Sequence, residues 1–130
     1  MKKVFTVLFA TSIAASIIAC GGAETKDKTV VASVTTDISA DPNYKKGLDL
    51  VAKSDCLTCH KINEKSTGPA YNEVAAKYAG AADSTITRLA GKIIAGGSGV
   101  WGAIPMTPHP QVSQADAEQM VKYILLLKNS

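Results

Sequence analysis

Two cysteines and a histidine stand close together near the middle of the chain, in the segment Cys56-Leu57-Thr58-Cys59-His60. The spacing C-x-x-C-H is typical of a c-type haem attachment site. Two thiols three positions apart can each add to one vinyl group of a single haem and form thioethers. The histidine that follows can supply an imidazole nitrogen to the iron as the proximal ligand. The segment therefore predicts one covalently bound haem c per chain.

A C-x-x-C pair has two other common uses, as a redox dithiol and as half of a zinc site. Zinc would need two further Cys or His ligands, and outside this segment the chain has only Cys20 and His109. A thioredoxin-like dithiol needs alternating strands and helices, and the sequence shows no clear strand pattern. The adjacent histidine and the N-terminal export signal described below favour haem over both alternatives.

The second axial ligand of the iron would have to come from Met106, Met120 or His109, since Met1 would be removed with the export signal. Met120 falls on the apolar stripe of a predicted helix, which favours core packing. His109 stands between two prolines, and we interpret it as a surface loop histidine. Met106 lies in the segment I-P-M-T-P, where prolines stiffen the backbone and can hold one sulfur in place. Met106 is therefore the predicted ligand, with His109 as the competing one.

The elements that carry these residues are predicted to be helices. Asp41 followed by Pro42 is a helix start, with an N-cap acceptor and a proline at the first helical position. Gly47 lies inside that helix and suggests close approach of another helix. Apolar residues at helical spacing predict three more helices, beginning near residues 70, 84 and 113. Glycines and prolines predict a loop over 98–112, so the expected fold is all-α with about four helices.

The first twenty residues have the pattern of an export signal. Lys2 and Lys3 form a positive n-region, and an apolar stretch follows. Its end, Ile17-Ile18-Ala19-Cys20, resembles the bacterial lipobox, in which the cysteine is lipidated; an ordinary secretory signal is the alternative. We expect a signal peptide over 1–20, a flexible linker over 21–40 and a folded domain over 41–130, with the protein anchored on the periplasmic side of a membrane.

Charge and composition exclude some classes of partner. The formal net charge of the 130 residues is +3. From residue 21 onward, twelve basic and eleven acidic residues leave only +1. The chain has no basic stripe and no aromatic stacking platform, so nucleic acid is not an expected partner. We expect a monomer.

Several further segments resemble the small bacterial cytochromes c of the c551/c552 type. The likeness covers residues 42–130 and is carried by Gly68-Pro69-Ala70-Tyr71, by residues 74–80, by Gly99-Val100-Trp101-Gly102 and by Ile104-Pro105-Met106. It implies the cytochrome c fold, in which the first and last helices cross and the haem lies in the cleft that they help to close.

The resemblance also implies roles for individual residues. Cys56 and Cys59 would carry the haem, and His60 and Met106 would ligate its iron. The carbonyl of Pro69 would accept a hydrogen bond from the His60 ring and so fix its orientation. A haem propionate would meet the indole N–H of Trp101 and the ammonium of Lys92. Core packing is the alternative for Trp101. The family usually has another residue where His109 stands.

An iron with both axial positions filled by side chains has no site for substrate. The expected function is therefore one-electron transfer between respiratory partners and not enzymatic catalysis. Lysines near the haem segment could form a weak docking patch for an acidic partner. Two alternatives stay open: a haem domain that serves a larger oxidoreductase complex, and, if Met106 is not a ligand, a gas-binding or peroxide-reducing haem protein.

Overall fold

The computed structural model describes residues 37–129. The predicted export signal, Cys20 and residues 21–36 of the predicted linker lie outside the described residues. Within them the chain forms five helices and two short strands, in the order α1 (Pro42–Lys53), α2 (Cys56–Cys59), α3 (Tyr71–Lys77), α4 (Ser84–Ala95), β1 (Gly97–Gly99), β2 (Gly102–Met106) and α5 (Gln114–Leu126). Single 3₁₀ turns, Ile38–Ala40 and Leu127–Asn129, precede α1 and follow α5.

The first and last long helices begin where local chemistry predicts. The Asp41 side chain accepts a 2.7 Å hydrogen bond from Asn43 N, which caps α1. The hydroxyl of Ser113 accepts a 3.1 Å bond from Asp116 N and caps α5 in the same way. Each cap satisfies a backbone N–H that has no partner within the helix.

Helices α1 and α5 pack against each other at a glycine, as predicted. A Cβ built on Gly47 would overlap the Cβ of Tyr123 and lie 2.8 Å from Gln119 O. The Tyr44 and Tyr123 rings meet edge to face beside it, with centroids 5.3 Å apart. Gln119 Nε2 also donates to Asn43 O at 3.2 Å. The resemblance to c551/c552 proteins correctly predicted this helix pair.

The loop predicted over 98–112 is not irregular throughout, because residues 102–106 pair with residues 97–99 in a small antiparallel hairpin. Gly97 pairs with Met106, and Gly99 pairs with Gly102. The sequence lacked the usual signal because these residues are glycines and exposed residues without apolar–polar alternation. The hairpin carries Met106 at its C-terminal end.

One hydrophobic core holds the helices together. It is formed by α1, α3, α4 and α5, by Val112, and by Leu127 just after α5. Its buried members are Val51, Tyr71, Ala90, Ile93, Val112, Ala117, Met120, Val121, Tyr123, Ile124 and Leu127. No helix within residues 37–129 is long and apolar enough to span a membrane.

Candidate haem site

The two cysteines of the C-x-x-C-H segment lie on a single turn of helix. The backbone turns at Asp55, whose φ of 56° is left-handed, so α1 ends at Lys53 and does not continue into the segment. In the turn that follows, His60 N donates to Cys56 O at 3.0 Å. Residues three apart share one face of a helix, and both Cys56 and Cys59 line the same cavity.

The His60 ring is held on two sides. Its Nδ1 lies 2.8 Å from Pro69 O, so Nδ1–H donates to the carbonyl and Nε2 keeps the lone pair that a metal needs. The Tyr71 ring stacks on the imidazole at 5.1 Å between centroids and 13° between planes. The ring orientation is therefore set by the protein itself.

Gly68 makes the close approach of the His60 ring possible. A Cβ built on Gly68 would lie 2.7 Å from His60 Nδ1 and 2.9 Å from Nε2. The Gly68 N–H in turn donates to Cys59 O at 2.8 Å, which ties this loop to the cysteine turn. The G-P-A-Y segment contains both Gly68 and Tyr71, but the sequence alone does not predict their contacts with the His60 ring.

The environment of Cys56 keeps its thiol protonated at neutral pH. Burial raises the pKa of Cys56, and a side-chain hydrogen bond with Tyr71 offsets part of that rise. Burial also raises the pKa of the Tyr71 hydroxyl, with a smaller contribution from Cys56. Both groups are therefore neutral, which suits a largely apolar cavity wall.

Met106 also lines the cavity and lies at the end of β2. It is half-buried and packs against the core. A Cβ built on Gly96 would lie 2.8 Å from Pro108 N, so the segment over 106–110, here called the strap, packs against the end of α4. The strap backbone is fixed by this contact and by the prolines on either side of Met106.

Trp101 and Lys92 also line the cavity. Trp101 lies at the hairpin turn and is 40% exposed, so the alternative of core packing is wrong. Lys77 Nζ stands 5.4 Å from the centroid of its ring. The exposed side chain of Lys92 projects from α4 towards β1, since its Nζ would lie 3.3 Å from a Cβ on Gly97.

The other two candidate ligands, Met120 and His109, occupy different environments. Met120 is 1% exposed within the core on α5, as predicted, although it also forms part of the cavity wall. His109 is not the surface histidine that its flanking prolines suggested. It is half-buried, lines the cavity, and has a buried Nδ1 with no hydrogen-bond partner within residues 37–129.

The cavity between these residues has the size and chemistry that a haem requires. Its volume is about 1020 Å³, at the upper end of the roughly 300–1,000 Å³ of typical ligand sites. It brings together two thiols, an oriented imidazole and a thioether, with apolar side chains from α1, α3, α4 and α5 around them. The residues present therefore fit a large, mostly apolar macrocycle with one metal ion.

Comparison with known proteins agrees with this fold and donor set. The family model described as cytochrome c matches residues 44–128. Cytochrome c-552 of Nitrosomonas europaea is 51% identical over 80 residues, covering 62% of this chain and 77% of the relative. Cytochrome c-551 of Azotobacter vinelandii is 49% identical over 82 residues, covering 63% and 98%. The crystal structure of wild-type N. europaea cytochrome c552 matches at a TM-score of 0.57 and 50% identity, over 62% of this chain and 98% of that one.

The fold and the site define a small helical protein built around one covalently held macrocycle. The chain belongs to the cytochrome c family. As in the relatives named above, the cofactor is one haem c per chain, with its iron, and the activity is electron transfer and not enzymatic catalysis.

Proposed function

We propose that this protein is a membrane-tethered, periplasm-facing carrier that passes one electron at a time between respiratory partners. The observation that carries the proposal is the convergence of two thiols, one oriented imidazole and one thioether on a single cavity. When bound, haem c supplies an iron that changes between Fe(III) and Fe(II) with little rearrangement of its ligands.

Each site residue has a role in the proposal. Cys56 and Cys59 hold the cofactor through thioethers, and His60 supplies Nε2 as the proximal ligand. Met106 supplies the distal sulfur, a soft ligand that favours Fe(II) and so raises the reduction potential relative to a second imidazole. The carbonyl of Pro69 fixes the tautomer and the plane of the His60 ring.

Trp101 and Lys92 interact with a propionate in this proposal. Both side chains line the cavity and carry N–H donors, and a carboxylate is the polar group that a haem presents to a protein. Pairing with Lys92 and Trp101 would compensate the negative charge where the macrocycle meets solvent. This role is consistent with the partial exposure of Trp101.

Electron exchange takes place through an apolar rim at the hairpin. Val100 and Ile104 are 64% and 68% exposed and belong to the cavity wall. Exposed apolar side chains beside a redox centre allow a partner to approach closely and exclude water. Lys65, also on the cavity wall, would help to orient a partner of opposite charge.

Delivery to the membrane depends on the N-terminal forty residues. We propose that residues 1–20 export the chain, that acyl chains on Cys20 anchor it, and that the linker predicted over 21–40 is flexible up to residue 36, since Ile38–Ala40 form a 3₁₀ turn that packs on the core through Ile38. As a coil, sixteen such residues would span roughly 22 Å on average, from about 5–6 Å per square root of residue number. The haem domain could then reach partners beside the membrane.

Intact-mass measurement tests the covalent attachment on which this function depends. Protein from a host able to mature c-type cytochromes should carry the mass of one haem, and the haem should survive acid–acetone extraction. Cys59→Ala should keep at most one thioether and yield less stable holoprotein. Thr58→Ala, in the same turn but without a thiol, should retain full attachment. A wild-type mass equal to the bare polypeptide would contradict the proposal.

A further inference from the structure

His109 lines the haem cavity and carries a buried ring nitrogen, Nδ1, that no described residue uses. Its Nδ1 has no hydrogen-bond partner within residues 37–129, and its side chain lines the same cavity as His60 and Met106. Leaving a buried polar group without a partner costs about 1–3 kcal/mol. No hydrogen bond at Nδ1 therefore holds the imidazole in its present position, and the ring can turn towards the cavity that it lines.

The backbone of His109 is fixed, so only its side chain can move. Its N–H donates to Ile93 O at 3.2 Å and Ile94 O at 3.1 Å, which satisfies carbonyls at the end of α4. Its own carbonyl accepts a 3.0 Å bond from Val112 N. The prolines on either side restrict the backbone further. Rotation of the imidazole is then the available motion.

Met106 and His109 are carried on the same strap, three residues apart, and both line the cavity. The strap packs on Gly96, where a built Cβ would lie 2.8 Å from Pro108 N. Both side chains therefore start from a backbone that is held against α4. Loss of the thioether would leave the strap in place with an imidazole still on it.

We propose that His109 is a reserve axial ligand, which binds the haem iron when the thioether of Met106 is not bound. This inference rests on the proposed function, in which the haem is attached and Met106 is the resident ligand. Imidazole is a common axial ligand of haem iron and replaces a weakly basic thioether without a change in coordination number. A small molecule must then displace the imidazole before it can bind the iron, and the reduction potential falls relative to thioether ligation.

The test compares Met106→Ala with the double variant Met106→Ala/His109→Asn, both with covalent haem. The ferric single variant should be six-coordinate and low-spin with a bis-imidazole spectrum, whereas the double variant should be high-spin. The reduced single variant should bind carbon monoxide at least about tenfold more weakly than the reduced double variant does. This difference corresponds to about 1.4 kcal/mol of binding free energy, which the bond from His109 to the iron would have to supply. Met106→Leu, which removes the sulfur at similar volume, provides a second background if the alanine variant does not accumulate.

Three results would overturn the proposal. The single and double variants could share a high-spin spectrum and the same carbon monoxide affinity, as expected if His109 only bonds a propionate. The double variant could remain low-spin, which would mean that a side chain other than His109 replaces the sulfur.

The third result concerns the matched control, His109→Asn in the wild-type background, whose ligand spectrum should not change. If that spectrum is lost, His109 is the resident ligand, and the proposed role of Met106 fails as well.

Discussion

Gly68 is the residue that permits the His60 ring to stack on Tyr71 while its Nδ1 bonds to Pro69. No side chain fits there, because a Cβ would lie under 3 Å from both ring nitrogens. The Gly68 backbone is also bonded to Cys59 O, so the loop cannot retreat freely. The requirement for glycine is therefore one of space beside the proximal imidazole.

We expect Gly68→Ala to displace the His60 ring and weaken its bond to Pro69. Overpacking of this kind costs about 1–3 kcal/mol of unfolding free energy. Thermal unfolding of the haem-loaded protein measures the loss, and the reduction potential should change as well. Asn63, which is exposed in the same loop and does not line the cavity, offers the control Asn63→Ala, which should alter neither quantity. A Gly68→Ala protein with wild-type stability and potential would show that the ring is not confined.

The residues of the site differ in how far the sequence predicted them. Cys56, Cys59 and His60 followed from spacing alone, because the chemistry of attachment dictates that spacing. The bond from His60 to Pro69 was predicted through resemblance and is present in the structure. The stacking of Tyr71 could not be predicted, since its ring also has the right spacing to be an ordinary core residue of α3.

Among the helices, the contact of α1 with α5 depends on a single glycine. Gly47→Ala would place a methyl group against Tyr123 and Gln119. Although alanine is the better helix former by about 1 kcal/mol, we expect the clash to dominate and to destabilise the protein by about 1–3 kcal/mol. Urea unfolding of the holoprotein measures the difference.

Gly91 supplies the matched control for this prediction, because it also lies within a helix, α4. A Cβ built there has no neighbour within 4 Å. Gly91→Ala should therefore be neutral or stabilising by up to about 1 kcal/mol. If Gly47→Ala behaves like Gly91→Ala, the two helices do not approach as closely as the structure indicates.

The helix starts could be predicted from the sequence because their signals are local, whereas the hairpin could not because its pairing depends on contacts with helix α4. The caps at Asp41 and Ser113 are local, since each side chain bonds to a backbone N–H two or three residues on. The pairing of Gly97 with Met106 depends on packing of the strap against α4, which no short segment encodes. His109 was misplaced as a surface residue for the same reason.

At the scale of the whole molecule, the proposal joins a haem domain to a membrane through Cys20. Each buried methylene of an acyl chain contributes about 0.8 kcal/mol, so several chains make binding stable. We expect Cys20→Ser to move the protein from the membrane fraction to the soluble fraction, measured by fractionation and haem absorbance. Thr25→Ser, in the same N-terminal stretch, should remain with the membrane. Unchanged partition of Cys20→Ser would indicate an uncleaved signal or protein–protein docking instead.

The central claim is that the haem iron has His60 and Met106 as its two axial ligands and therefore carries electrons without binding substrate. The absorption spectrum of the wild-type protein tests it most directly, recorded oxidised and then reduced with and without carbon monoxide. The oxidised protein should show the weak far-red charge-transfer band expected of a methionine-ligated ferric haem, and the reduced protein should not bind carbon monoxide at neutral pH. Met120→Leu should leave both results unchanged. A wild-type spectrum that lacks the band, together with ready binding of carbon monoxide, would contradict the claim and indicate an open iron.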